Sequence, residues 1–165
     1  MIFKTKKHNY NFYNTLLYLS RNLYFYSKIK LKDTFETRVY LIFIHFSIIL
    51  TVFKNKKINF SQQNYDNLFY CIENDLRELG FGDVSVNKKM KNMNKIFYDI
   101  LLKINKTSND FHINKNLILK YFECLKDSNP DKYEHFAQYF EKFYHFCFEL
   151  NPQTMIKDAI KFEVT

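Results

Sequence analysis

The chain is poor in the residues that bend a backbone. Its 165 residues include two glycines, two prolines and no tryptophan. So few turn formers cannot supply the many tight connections of a sheet protein, which points to helices. Cysteine is scarce as well. Cys71, Cys124 and Cys147 are odd in number, far apart and set in apolar sequence, so they read as small core residues in a reducing compartment. No CxxC pair or HExxH occurs, and the five histidines lack ligand spacing, so no metal site is expected. GxSxG and nucleophile–base patterns are missing too. Glu78 and Asp83 are paired carboxylates, but nothing around them supplies a substrate pocket. No catalytic residue and no cofactor is nominated, and an enzyme is not expected.

Arginine is rare, with 3 against 22 lysines, while asparagine, isoleucine, phenylalanine and tyrosine are abundant. These favoured residues have A/T-rich codons, so lysine abundance by itself says little about nucleic acid. The distribution of charge says more. Residues 1–60 carry 11 Lys+Arg against 2 Asp+Glu, residues 61–110 carry 7 against 7, and residues 111–165 carry 7 against 8. All the excess positive charge lies in the first third. That fits either a solvated lysine-rich face or an anionic partner such as RNA, a membrane surface or an acidic protein.

The N-terminal stretch MIFKTKKHNYNFYNTLLYLS has no continuous apolar core and no A-x-A-like cleavage site, so no secretory signal is expected. It is also unlike an Arg- and Ser-rich presequence. The one long apolar run, VYLIFIHFSIILTVF at residues 39–53, is shorter than the roughly 20 residues needed to span a bilayer. It reads as a buried core helix. Its basic flanks, Arg38 and Lys54/Lys56/Lys57, keep a peripheral membrane contact open. His45 within it is either a satisfied core histidine or a haem ligand.

Apolar periodicity and start signals predict six to seven helices in one all-α domain spanning residues 1–165. Helix one is expected over about Tyr10 to Lys28. A second starts at a capping box on Asp33 with Glu36 and runs to about Asn55. A third follows Ser61 with the stripe Leu68, Phe69, Ile72, Leu76 and Leu79, and a fourth starts near Ser85. A fifth covers about Asn116 to Lys126. Asn129-Pro130 opens a sixth with the face Tyr133, Phe136, Phe140, Phe143 and Cys147, and Asn151-Pro152 opens a short last one. Residues 54–59 and 105–116 read as loops.

Both glycines fall in one segment, LRELGFGDVSVNKK, residues 76–89. Gly80 suits the left-handed residue that closes a helix, and Gly82 allows a second sharp turn. Asp83 or Ser85 then caps the next helix, and Phe81 is placed to plug the core below the corner. Arg77 is expected to fork to Asp83 or Asp75. Lys88, Lys91 and Lys95, at i, i+3 and i+7, share one face. Without the strand-to-helix setting and a GK[ST] ending, GFGDVSV is not a phosphate loop.

The run LFYCIENDLRELGFGDVSVNKKMKNMNKIFY, residues 68–98, closely resembles the signature of the ubiquinol–cytochrome c chaperone family, the cytochrome b assembly factors of respiratory complex III. The resemblance rests on Leu68, Phe69, Asp75, Leu76, Arg77, Glu78, Gly80, Gly82, Asp83, Val86, Lys88, Lys91, Met93, Phe97 and Tyr98. A weaker match over 16–50 rests on Arg21, Phe25-Tyr26, Asp33-Thr34, Arg38 and His45. Leu23, Lys32, Thr37, Tyr70 and Asp99 depart from the pattern, replacing prolines, glycines and an aspartate.

The resemblance implies a non-enzymatic chaperone that binds newly made cytochrome b and promotes complex III assembly. It further implies a small second assembly factor and contact with the ribosome as partners. The size and the missing presequence look like a bacterial member at the cytoplasmic face of the inner membrane, or a mitochondrial matrix protein if eukaryotic. The expected partner-binding face comprises Asp75, Arg77, Glu78, Asp83, Lys88, Lys91 and Lys95, with the acids meeting basic loops of the client. The alternative is ribosome or RNA binding through the basic N-terminal third, with Tyr10, Phe12, Tyr13, Tyr18, Tyr24 and Tyr26 as stacking surfaces.

Overall fold

A helix that is apolar on every side is stable in water only if other elements cover every side. The segment from Phe35 to Asn55 meets that condition. In the computed structural model, which describes residues 11–104, 111–127 and 129–164, it forms helix α2, and each residue from Leu41 to Ile49 is buried. It is long and apolar enough to cross a membrane, but the fold covers it instead.

Three helices supply most of that cover. Helix α1 (Asn11–Ser20) contributes Phe12, Leu16 and Leu19 to the core. Helix α3 (Gln62–Glu78) leads into α4 (Asp83–Ile104), whose stripe Val86, Met93, Phe97, Ile100 and Ile104 is buried. Phe97 stacks on Phe46 with ring centres 5.2 Å apart and leans on Phe43 and Phe69. Short helix α5 (Lys115–Tyr121) precedes α6 (Pro130–Glu149). Helix α6 lays Phe136, Phe140, Phe143 and Cys147 on the core, with Tyr133 half-buried. The final α7 spans Met155–Asp158. The described residues contain seven α-helices and no strand, the all-α fold expected. Each fully buried Phe, Leu or Ile adds roughly 1.5–3 kcal/mol.

Several boundaries differ from the expected ones, each for a local reason. The expected first helix breaks after Ser20, and a five-residue π-turn, Tyr24–Lys28, follows, closed by Ile29 N–H to the Tyr24 carbonyl at 3.1 Å. That break carries Phe25 into the core, 4.5 Å from the Tyr139 ring centre. Tyr10 lies outside the described residues, as do Lys4, Lys6 and Lys7 of the basic third and the 105–110 part of the expected loop.

Thr34, not Asp33, caps α2 by accepting from Thr37 N–H at 3.1 Å. Asp33 instead faces Arg38, with Nε–Oδ1 3.5 Å. The expected fifth helix is α5 plus a separate 3-10 turn, Glu123–Leu125. Asn151-Pro152 forms a turn ahead of α7 and does not start it. Cys71 and Cys147 are buried as expected, whereas Cys124 is exposed. Asp99, which stands where a glycine was expected, ties α4 to α5. Partial burial acts to raise its pKa, but Lys120 (2.8 Å), Tyr121 and Lys103 (2.9 Å) hold it well below the usual carboxylate range.

His45 joins α2 to α6. Its Nδ1 lies 2.7 Å from the Leu41 carbonyl, which can only accept, so Nδ1 carries the proton. Nε2 therefore accepts from the Tyr139 hydroxyl at 2.9 Å. Both ring nitrogens are satisfied, and full burial lowers the pKa to about 4. His45 is the satisfied core histidine, with no free nitrogen for haem.

Because the unfolded chain takes up a proton near pH 6.5 and folded His45 does not, stability is complete above pH 6.5. It should fall as pH drops from 6.5 to about 4, by roughly 3 kcal/mol in total. Tyr139→Phe, which leaves Nε2 without a donor, should cost about 1–3 kcal/mol at neutral pH. Urea melts across that pH range, with and without the substitution, measure both.

Candidate partner-binding site

The corner between α3 and α4 is built from backbone bonds. Leu79 is the last residue near helical geometry, and Gly80 follows at φ +96°. Phe81 N–H then reaches back to the Leu76 carbonyl (3.3 Å) and Gly80 N–H to Arg77 (3.0 Å), so the carbonyls at the end of α3 are not orphaned. Only a residue without Cβ takes that φ without strain. Helix α2 ends with the same pair of bonds, from Ile58 to Phe53 and from Lys57 to Lys54, but holds Lys57 at φ +57° in glycine's place.

Gly82 differs from its expected role. Its φ is not in the left-handed region and open space surrounds it. Its carbonyl accepts Val86 N–H at 2.9 Å, so it is the residue that opens α4. Phe81 does not plug the core. It is 39 % exposed and lies under the Lys89 ammonium, 4.5 Å from the ring centre. Leu79, expected on the buried stripe, is 57 % exposed, and Val84 beside it is 85 % exposed. The corner is an apolar tip in solvent.

The seven expected partner-binding residues divide into three groups. Arg77 and Asp83 are engaged with each other, and Arg77 Nη2 also meets Glu73 at 2.7 Å. The expected pairing of Arg77 with Asp83 is present, and Glu73 takes the place considered for Asp75. Lys88, Lys91 and Lys95 are exposed on the side of α4 turned away from its buried stripe, and no ion pair among the described residues reaches them. Asp75 and Glu78 face the other way, towards α1 and α2.

Between α1, α2 and α3 lies a groove of about 350 Å³. Its floor is apolar: Leu17, Phe35, Val39, Ile42 and Ile72. Tyr13, Arg21, Arg38, Asp75, Glu78 and Leu79 complete it, so the corner tip and the groove share Leu79. The Tyr13 hydroxyl donates to Asp75 Oδ2 and straps α1 to α3. Burial and the neighbouring Glu78 charge raise the Asp75 pKa, while Tyr13, Arg21 and Arg38 pull it down. Among the described residues, the side chains of Arg21 and Glu78 make no hydrogen bond or ion pair. Among the described residues, Arg38 engages only its Nε, with Asp33 and the Thr34 carbonyl.

Reading the sequence did not find this groove, although a signal existed. Tyr13, Leu17 and Arg21 recur at i, i+4 and i+8 on α1 and its end, and Asp75 and Leu79 at i and i+4 on α3, which marks single faces. No three His, Cys, Asp or Glu side chains among the described residues are grouped to hold a metal ion.

A family model described as Ubiquinol-cytochrome C chaperone matches residues 27–117, more than half of the chain. Arg38, Asp75, Glu78, the whole corner and the lysine row fall inside that span. No curated protein and no solved structure matches the chain.

The two glycines should respond differently to a side chain. Gly80→Ala places Cβ at φ +96° and should destabilise by about 1–2 kcal/mol. Gly82→Ser meets open space at a helix start and should stay within about 0.5 kcal/mol of the parent or gain slightly. Thermal unfolding of the two variants separates these outcomes.

Proposed function

The chain belongs to the ubiquinol–cytochrome c chaperone family, and from that footing we propose that it is a non-enzymatic assembly factor that binds newly made cytochrome b and promotes complex III assembly. One observation carries the reading beyond the family name. Arg38 and the Asp75/Glu78 pair, which belong to two separated stretches of the family match, come together around one apolar groove. A groove with an apolar floor and a charged rim suits a polypeptide segment that anchors an apolar side chain and fixes its register by charge.

The corner tip of Leu79, Phe81 and Val84 extends that surface, and the lysine row Lys88, Lys91 and Lys95 adds free cations on α4. Hydrolytic or transfer chemistry has little support, since the hydroxyl beside a carboxylate in the groove, Tyr13 on Asp75, has its pKa raised by burial and the Asp75 bond, which opposes its use as a nucleophile. A chaperone of an inner-membrane client works at the cytoplasmic face of that membrane in a bacterium, or in the matrix of a mitochondrion. A second small assembly factor and the ribosome are further partners on this reading.

Ribosome or RNA binding as the primary activity has weaker support than the aromatic pattern suggested. Phe12 and Tyr13 are buried. Tyr24 and Tyr26 are half-buried with their hydroxyls donating to His135 and Ser20 carbonyls. Of the described aromatics considered for stacking, Tyr18 is the exposed one, at 60 %.

A deletion strain should show reduced cytochrome b and reduced complex III, measured by absorbance spectra and native gels. Normal levels of both would remove the assembly role. In co-purification, Lys88→Glu with Lys91→Glu should lower cytochrome b recovery several-fold without changing the melting temperature, because both lysines are exposed.

A further inference from the structure

The acids on this face are less available than their number suggests. Asp83 is engaged by Arg77, and Asp75 accepts the Tyr13 hydroxyl while half-buried. Of the three acids expected to meet a basic client, Glu78 alone is unpaired among the described residues. The cations stand the other way round. Among the described residues, the Arg21 guanidinium is unpaired and the terminal nitrogens of Arg38 are free, while on the other side of the corner Lys88, Lys91 and Lys95 have no ion-pair partner. Arg21 and Arg38 line the same groove, and both act electrostatically on Asp75 and on Tyr26. Within the groove the unengaged charged groups are therefore the Arg21 guanidinium and the Arg38 terminal nitrogens against the one carboxylate of Glu78, with Asp75 held by Tyr13.

We propose that the groove between α1, α2 and α3 selects an acidic client segment: an apolar side chain enters the floor over Val39, Ile42 and Ile72, and a neighbouring carboxylate binds Arg21 and Arg38. Guanidinium matches carboxylate with two parallel donors, a geometry that lysine cannot give. A polypeptide fits the rim better than an anionic lipid does. Glu78 and the second oxygen of Asp75 can accept backbone N–H donors, which a segment of chain supplies beside its carboxylate and a lipid phosphate does not. This selectivity rests on the reading that the face receives a client, and it reverses the charge expected of that client.

Fluorescence anisotropy with three short Leu/Ala helical peptides tests it, the peptides differing only in one central Glu, Gln or Lys. The Glu peptide should bind about tenfold more tightly than the Lys peptide, as one charged hydrogen-bonded contact supplies. Arg21→Glu with Arg38→Glu should reverse that order. Should the double variant fail to fold, Arg21→Gln, at an exposed side chain that makes no hydrogen bond or ion pair among the described residues, should still lower Glu-peptide affinity several-fold. Equal binding of the three peptides, a retained Glu preference in the double variant, or unchanged Glu-peptide affinity in Arg21→Gln overturns the proposal. So does displacement of the Glu peptide by phosphatidylglycerol vesicles, or peptide binding that tracks dissociation of a dimer on dilution. These results are independent of the deletion strain: reduced complex III with indifferent peptides leaves the assembly role and removes the charge selectivity.

Discussion

Covering α2 on all sides is the constraint from which the rest of the architecture follows. An apolar helix this long has two stable environments, lipid and protein. Here α1, α4 and α6 provide the second, with the Phe25 ring wedged between α2 and α6. The hydrogen bond from Tyr139 to His45 gives that contact a direction that dispersion forces lack. It fixes the rotation of α6 about its own axis, because a turn of even one residue would separate hydroxyl from imidazole. The groove depends on the same helix. Its floor is the solvent-side margin of α2, where Val39 and Ile42 pass between α1 and α3.

The helices were legible because they obey local rules. Asn129-Pro130 and Ser61 announce α6 and α3 through caps that the folded chain uses, with Asn129 accepting from Asp131 N–H and Ser61 from Asn64 N–H. The left-handed position at Gly80 was legible for the same reason. What escaped was whatever depends on the third dimension. Thr34 displaces Asp33 as the cap because Asp33 has a competing partner in Arg38. Phe81 and Leu79 look like core residues in one dimension, yet the corner projects beyond any helix that would cover them. The groove was invisible because its walls come from three helices. No periodicity within one segment reports what stands opposite it.

Within the family signature, structural and binding roles divide more finely than the motif suggests. Leu76, Val86 and Phe97 are core, Gly80 and Gly82 shape backbone, and Arg77 with Asp83 braces the corner from outside. Such an exposed pair contributes little stability, typically under about 1 kcal/mol, so its value lies in holding the two helix ends at one angle. Asp75 has two relations at once, bonded to α1 through Tyr13 and lining the groove. Any occupant that draws on its second oxygen also senses how firmly α1 is attached.

The burial of α2 also has a consequence in time. Its last covering helix, α6, ends at Glu149, far along the chain from Asn55. At a synthesis rate of ~5–20 residues per second, the oiliest stretch of this protein stays incompletely covered for roughly 5–20 seconds after it is made. A factor that shelters another polypeptide thus begins its own existence in need of shelter, and its safe production depends on how fast the ribosome delivers its final third.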